Sequence, residues 1–521
     1  MNRPGPQWHY RYLRLSRFPV LQALFAGVLH AWALSHQGSV NSWLQVLALV
    51  WLAGLIAQSP RVVKAALIGW LFALAWLVGS VWWLYISMHR YGGMPSVLAA
   101  LAVVLLCAGL ALIYALAMAL VRKVSRPATV SIVGFSAAWL LAELMRGWIF
   151  TGFPWASSGY AQVDNTVLNA YAPWLGVYGI GAVAALLAAS VATIFLTPKD
   201  TWRQLMAAWV AIVVVLGLHW SLRHDFTEPA GTIKVALLQG NVPQNLKFEQ
   251  ETMLNALHWY LNELLQAQEQ GVDLVVAPET AIPTFPSYLP RGLWEGLRAE
   301  FAAGDTAALI GIPLRTDATG VTNSMIGLAP GQALYQYDKH HLVPFGEFIP
   351  WGFRWFVDMM DIPLGDMDRG AVDATSLWWR GQRIAPNICY EDLFGEELAR
   401  RFAVPGQEPT IMANASNIAW FGDTVALPQH LQIARMRSLE FQRPMIRATN
   451  TGVTAIIDDQ GRVQGMLAPF TQGVLAGDVQ GRQGLTFYVS WVSAWGLLPL
   501  WLYGLVTISF LLLRTRTRVS N

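Results

Sequence analysis

Eight stretches of apolar residues, each near the length of a membrane-crossing helix, run through this chain at 18–35, 40–58, 65–88, 95–121, 130–148, 174–196, 204–221 and 488–513. A helix needs about 20 mostly apolar residues to cross the hydrocarbon core of a bilayer. Helices of a large water-soluble core would carry a polar outer face, and these stretches show none, so the pattern predicts eight membrane spans. Between the seventh and the eighth the period changes. Short apolar runs at 235–239, 273–277, 307–312, 333–337, 384–388, 411–413 and 453–457 read as strands. Met253, Leu254, Leu257, Leu261, Leu264 and Leu265 recur at helical spacing, and 431–441 reads as a further helix. Strands alternating with amphipathic helices predict a layered α/β domain with one core.

Composition sharpens the division. Of 521 residues 55% are hydrophobic and 13% charged, whereas a soluble domain usually carries about 25% charged residues. That excludes a cytosolic enzyme and a disordered chain. All but five of the 32 acidic residues lie between 231 and 487, the five being Glu143, Asp164, Asp200, Asp225 and Glu228. The chain therefore divides into a membrane part over 1–225, a polar domain over 226–487, and an eighth span with a basic tail over 488–521.

A net charge of +3 is too small to point to nucleic acid. The basic residues have a topological reading instead. Arg11, Arg14 and Arg17 precede the first span, Arg61 and Lys64 follow the second, and Arg122, Lys123 and Arg126 follow the fourth. Lys199 and Arg203 follow the sixth, and Arg514, Arg516 and Arg518 follow the eighth; the alternate loops are nearly bare. Cationic loops stay cytoplasmic. Both termini are therefore expected in the cytoplasm, and 222–487 on the outer side, which in a bacterium is the periplasm. Arg17, the apolar run and Ala31-Trp32-Ala33 also resemble a cleavable signal peptide. Because further spans follow, a retained first helix is the preferred reading, and the later loops keep their sides either way.

Only two cysteines occur, Cys107 inside the fourth span and Cys389 in the polar domain, so neither a disulfide framework nor a zinc site is expected. The sequence holds no GxxxxGK[ST], HExxH or CxxC, which disfavours nucleotide and metal chemistry. Three polar residues stand at or just after strand ends, where layered α/β domains assemble their sites. They are Glu279 in Ala277-Pro-Glu-Thr280, Lys339 in Tyr337-Asp-Lys-His340, and Cys389 in Ile388-Cys-Tyr390. Taken singly, each has a plain explanation: a solvated carboxylate, a surface lysine, a packed thiol. Together they supply a base, a cation for a developing oxyanion and a nucleophile, with no cofactor or metal.

The residues around these three carry a family resemblance. The run Lys339-His-His-Leu-Val-Pro-Phe-Gly-Glu-Phe-Ile-Pro350, with Pro278-Glu279-Thr280 before it and Ile388-Cys-Tyr-Glu391 after it, resembles the apolipoprotein N-acyltransferases. Those are bacterial inner-membrane enzymes whose periplasmic domain belongs to the nitrilase superfamily. The resemblance extends to Trp83-Leu-Tyr-Ile-Ser-Met-His89-Arg-Tyr-Gly92, Glu143-Leu-Met-Arg-Gly-Trp148 and Thr151-Gly-Phe-Pro-Trp155. It implies an αββα sandwich beside an eight-span helical bundle, and a Glu279, Lys339, Cys389 triad supported by Glu347, Tyr390 and Glu391. It also implies acyl transfer from a membrane phospholipid, through a thioester on Cys389, to the N-terminal amine of a diacylated apolipoprotein.

Two departures are visible. Ser416-Asn417-Ile418-Ala419-Trp420-Phe421-Gly422 stands where the family has Ser-Asn-Asp-Thr-Trp-Phe-Gly, and Phe248 replaces its usual Trp. Neither touches the triad. Phe248 and Trp420 remain candidates for substrate contact. So do Phe353, Trp355 and Phe356, which with Trp351, Met359 and Met360 make 348–364 an apolar lid candidate. Tyr85, His89 and Arg146 are candidates to line the path by which lipid reaches the site. His340, His341 and Cys107 are read as structural. Two other functions stay open: a membrane-tethered amidase using the same triad with water as acceptor, and a catalytically silent lipoprotein-binding scaffold.

Overall fold

The computed structural model describes residues 18–126, 129–196, 202–247, 249–316, 320–352, 354 and 366–519. The N-terminal part is helical: α1 (Pro19–Ser35), α2 (Ser39–Ala57), α3 (Val62–Val81), α4 (Ser96–Val124), α5 (Ile132–Trp148), α6 (Ala172–Leu196) and α7 (Trp202–Leu222). Their buried sides are largely alanine, glycine and aromatic residues, which lets the helices approach closely. Their outer sides expose Leu101, Leu105, Leu112 and Leu116 on α4 and Trp209, Val210 and Val213 on α7. A belt of that kind belongs in lipid.

Among the described residues seven helices are long and apolar enough to cross a membrane. The pattern predicts eight, and the difference lies in α1, which stops at 17 residues, about 25 Å at 1.5 Å per residue. The basic residues Arg11, Arg14, Arg17 and Lys199 lie outside the described residues. The last expected span, 488–513, is also corrected. It divides into α11 (Phe487–Trp495) and α12 (Leu498–Val519) at Gly496, whose φ of 57° ends the first helix. The third expected span likewise ends early, at Val81, and after a turn a short α-helical piece (Leu84–Ile86) runs into a π-helical one (Ser87–Tyr91).

The polar domain holds twelve described strands: β1 (Thr227–Gln239), β2 (Leu274–Val276), β3 (Ala307–Arg315), β4 (Val321–Leu328), β5 (Tyr335–Asp338), β6 (Leu377–Trp379), β7 (Gln382–Ile388), β8 (Ile411–Ser416), β9 (Met445–Thr449), β10 (Ala455–Ile457), β11 (Val463–Met466) and β12 (Gly473–Gly484). They form two six-stranded sheets, ordered β12-β1-β2-β3-β4-β5 and β11-β10-β9-β8-β7-β6. Alternation along β1 shows how they stack. Val235 and Leu237 face the second sheet and pack with Ile384, Ile411 and Ile446. Ala236 and Leu238 face outward, under α8 (Gln250–Glu269) and α9 (Leu293–Ala303). On the far side α10 (Ala426–Phe441) covers the second sheet, and its Leu427 and Leu431 share one apolar cluster with the membrane helices. Helix, sheet, sheet and helix thus form four layers, with the fourth wedged against the bundle.

Candidate active site

The three strand-end residues come from both sheets. Glu279 follows β2, Lys339 follows β5, and Cys389 follows β7. Lys339 is buried, and its Nζ donates to Glu347 Oε1 at 2.9 Å and lies 3.4 Å from Glu279 Oε1. Asn323, on β4, donates from Nδ2 to Glu279 Oε1 at 2.7 Å and to Glu347 Oε1 at 2.8 Å. The other oxygens are held by backbone: Asn417 N–H donates to Glu279 Oε2 at 2.8 Å, and Val343 N–H to Glu347 Oε2 at 2.8 Å. Glu279 is therefore held from three places, by Asn323, Lys339 and Asn417, and Glu347 by Asn323, Lys339 and its own loop at Val343.

Glu391 fastens the lysine segment to the cysteine turn. Its Oε1 accepts from the backbone N–H of His340 at 2.7 Å and of His341 at 3.1 Å. Its Oε2 accepts from Ile388 N–H at 2.6 Å and from the Tyr337 hydroxyl at 2.8 Å. Burial raises the Glu391 pKa, against the pull of these donors and of Lys339. Cys389 has φ 53° and Thr280, next to Glu279, φ 48°. Left-handed backbone at a non-glycine residue is costly, so both turns are held by their surroundings. Below the Cys389 turn, Arg447 donates to Asp392 Oδ2 and to His430 Nδ1, each at 3.0 Å. A guanidinium can only donate, so the His430 proton sits on Nε2, which faces Asp392 Oδ1 at 3.2 Å and the Cys389 carbonyl at 3.3 Å.

The surroundings act differently on Cys389 and Lys339. Burial and then Glu279 push the Cys389 thiol well above its ordinary value, while Lys339 draws it down. Burial opposes the charge on Lys339, but Glu347 and Glu279 overcome it and raise the ammonium above the usual lysine value. At neutral pH the site thus holds a thiol and a fixed ammonium, the ammonium in contact with Glu279 and Glu347. That arrangement suits proton removal during attack rather than a standing thiolate.

The remaining expected residues fall at several places. Tyr390 is buried, and its hydroxyl donates to the Gly152 carbonyl at 3.0 Å. Tyr85 and His89 lie together, ring centroids 5.2 Å apart, on the segment after α3. Partly exposed Trp420 meets Tyr91 of that segment edge-on at 5.5 Å, and Trp83 packs on Phe421 at 4.2 Å. The segment after α3 therefore touches the loop that also binds Glu279 through Asn417. Arg146 does not line a path for lipid: it is fully buried in the bundle, because its guanidinium caps the carbonyls of Phe153 and Trp155 at 2.7 Å each. Phe248, Phe353, Trp355 and Phe356 lie outside the described residues, as do Met359 and Met360, while Trp351 is 93% exposed. Ile418 and Ala419 occupy buried positions. His341 stacks on Phe394 at 3.5 Å and bonds Glu397, His340 bonds the Gly370 carbonyl at 2.8 Å, and Cys107 is buried in α4.

Asn323, Asn417 and the Asp392–His430–Arg447 network are additions to the residues expected from sequence. So is Lys247, buried, bonded to Thr280 Oγ1, and lowered to about 8 by burial against the attraction of Glu279. Polar residues inside otherwise apolar strands were the available signal, as at Asn323 in β4.

A cysteine, a lysine and a paired carboxylate at the strand ends of a four-layer sandwich define a carbon–nitrogen hydrolase domain, whose family model matches residues 234–485. The N-terminal helices match the apolipoprotein N-acyltransferase N-terminal domain over residues 26–190. The apolipoprotein N-acyltransferase of Verminephrobacter eiseniae is 49% identical, covering 91% of this chain and 92% of its own. That of Ralstonia nicotianae is 46% identical over 91% and 90%, and that of Bordetella bronchiseptica 41% over 93% and 94%. The chain belongs to the apolipoprotein N-acyltransferase family. A solved carbon–nitrogen hydrolase from Helicobacter pylori G27 is similar over 48% of this chain and 90% of its own, at 14% identity and TM-score 0.37, a likeness too slight to carry more.

Proposed function

We propose that this protein moves a fatty acyl chain from a membrane phospholipid to the α-amine of an S-diacylglyceryl-cysteine at the start of an apolipoprotein, with Cys389 as the carrier. The carrying observation is the Lys339 ammonium fixed between Glu279 and Glu347, at 3.4 and 2.9 Å, beside a protonated thiol. In the first half Glu279 takes the Cys389 proton as the sulfur attacks an ester carbonyl of the donor. Negative charge forms on the carbonyl oxygen, and Lys339, with the Tyr390 backbone N–H, stabilises it. Collapse breaks the ester C–O bond. The lysophospholipid leaves with the proton from Glu279, and a thioester remains.

In the second half the acceptor amine attacks the thioester carbon and Glu279 takes an amine proton. The C–S bond breaks, the proton returns to sulfur, and the amide product departs. Glu347 and Asn323 keep Lys339 and Glu279 at their posts, and Glu391 holds the two turns together. On this reading residues 1–225 and 488–521 form the inner-membrane part, with both termini cytoplasmic, and 226–487 the periplasmic catalytic domain. Both substrates are lipids, which gives the bundle its purpose: it presents the site at headgroup level. Trp420, Tyr85 and His89 line the approach.

The test is transfer itself. Purified protein in micelles receives phospholipid labelled in one acyl chain and a diacylated lipopeptide. Label is expected on the lipopeptide amine, with lysophospholipid released in equal amount. Release of free fatty acid without lipopeptide labelling would make the protein a hydrolase. No turnover of donor would leave a binding scaffold.

A further inference from the structure

Arg146 and Glu143 stand on the last turns of α5, both fully buried, with Arg146 Nη2 3.6 Å from Glu143 Oε1. An ion pair so deep in an apolar bundle is a weak source of stability, since desolvation offsets the attraction. Its partners say what it holds. Arg146 donates from Nε to the Tyr114 hydroxyl at 3.0 Å, from Nη1 to the carbonyls of Phe153 and Trp155 at 2.7 Å each, and from Nη2 to Ser157 Oγ at 3.0 Å. With Glu143, the five donors of the fork all face a partner. Glu143 in turn accepts from the Ser158 backbone at 3.1 Å and its hydroxyl at 3.0 Å. Gly181 of α6 makes room: a Cβ there would meet Ser158 Oγ at 2.6 Å and Glu143 Oε2 at 3.2 Å.

The segment so gripped is irregular. Phe150, Thr151, Gly152 and Ala156 all have left-handed φ, at 53°, 75°, 90° and 59°. Backbone of this kind away from water needs every carbonyl bound. Two contacts leave it for the nucleophile turn. The Gly152 carbonyl accepts from the Tyr390 hydroxyl at 3.0 Å. The Trp155 ring stacks on His430 at 5.6 Å, and His430 Nε2 faces the Cys389 carbonyl at 3.3 Å.

We propose that Arg146 and Glu143 are a positioning pair for the reaction: from inside the bundle they set the Cys389 turn through Gly152–Tyr390 and Trp155–His430. The inference rests on the thioester reading above. A sub-ångström drift of the sulfur relative to Lys339 slows attack without changing how lipid binds, since misplacement of about 1 Å can cost 10²-fold. The pair therefore acts on the rate of acylation and leaves half-saturation by donor alone.

The experiment measures single-turnover thioester formation on the full-length protein in micelles, at several phospholipid concentrations. Arg146→Lys keeps the charge and loses the fork, and Glu143→Gln keeps the shape and loses the charge. Each is expected to slow acylation at least about tenfold at an unchanged half-saturating donor concentration. Combined with Tyr390→Phe, Arg146→Lys should cost less than the product of the two single effects, because both loosen one relay. The melting temperature of each variant identifies folded protein, and Glu143→Gln carries the test should Arg146→Lys not fold. Wild-type rates, a change confined to donor half-saturation, or full multiplicativity with both Tyr390→Phe and Trp155→Phe would overturn the inference. A wild-type protein that forms no thioester would instead overturn the proposed function.

Discussion

Glu279 and Lys339 act on the Cys389 thiol in opposite senses, and each can be removed singly. Burial and Glu279 push the thiol up, and Lys339 pulls it down. Neutralising Glu279 removes a raising influence, so Glu279→Gln should shift iodoacetamide alkylation of Cys389 to lower pH. Neutralising Lys339 removes the lowering one, so Lys339→Met should shift it to higher pH. Acyl transfer by Glu279→Gln should nonetheless fall by about 10²-fold or more, because the proton acceptor of the attack is gone. Peptide mass spectrometry across a pH series reads the alkylation, and an unmoved or upward shift in Glu279→Gln contradicts the assignment. At this scale much was legible. Glu279, Lys339 and Cys389 each end an apolar run, and the structure brings Lys339 into contact with Glu279. Asn323 was hidden because a single amide in a strand has many plain explanations; only the fold shows it donating to two carboxylates. Arg146 was misread because a basic residue at the end of an apolar run has the same sequence appearance whether it reaches headgroups or caps buried carbonyls.

Strand β3 reaches Glu279 through a glycine. A Cβ on Gly311 would meet the Pro278 carbonyl at 2.3 Å and Glu279 Cα at 2.8 Å. Gly311→Ala should therefore displace the turn that carries Glu279, at an overpacking cost of about 1–3 kcal/mol. The expected outcome is a lower melting temperature and acylation slowed more than half-saturation is altered; wild-type acylation in folded Gly311→Ala would contradict the close approach. Elements were legible where apolar residues dominate. The runs ending at 277, 312 and 388 became β2, β3 and β7. Strand β4 does not show in the pattern because Thr322-Asn323-Ser324 breaks its apolar run, and of the three Asn323 is the one that bonds the site carboxylates. The break at Gly496 was missed because composition on both sides of it is equally apolar and only the backbone turn divides them.

At the scale of the molecule, membrane bundle and catalytic domain share one core. A single buried cluster runs from Ala23 and Phe72 in the helices to Leu431, Met445 and Ile457 in the polar domain. Helix α10 is buried on all sides between sheet and bundle. Residues 226–487 produced alone should thus expose this face and aggregate or melt well below the full-length protein, read by light scattering and calorimetry. A soluble, fully active fragment would contradict the shared core. The division into lipid-facing and water-facing parts was plain from the placement of acidic residues, whereas the joint between them was not, since burial against lipid and burial against protein leave the same apolar residues. The central claim is tested most directly by the intact mass of the full-length protein after incubation with phospholipid alone. The account predicts a gain of one acyl chain, on the peptide containing Cys389, absent in Cys389→Ala and discharged by a diacylated lipopeptide but not by water. An unchanged mass, or an acyl group on any other residue, would contradict it.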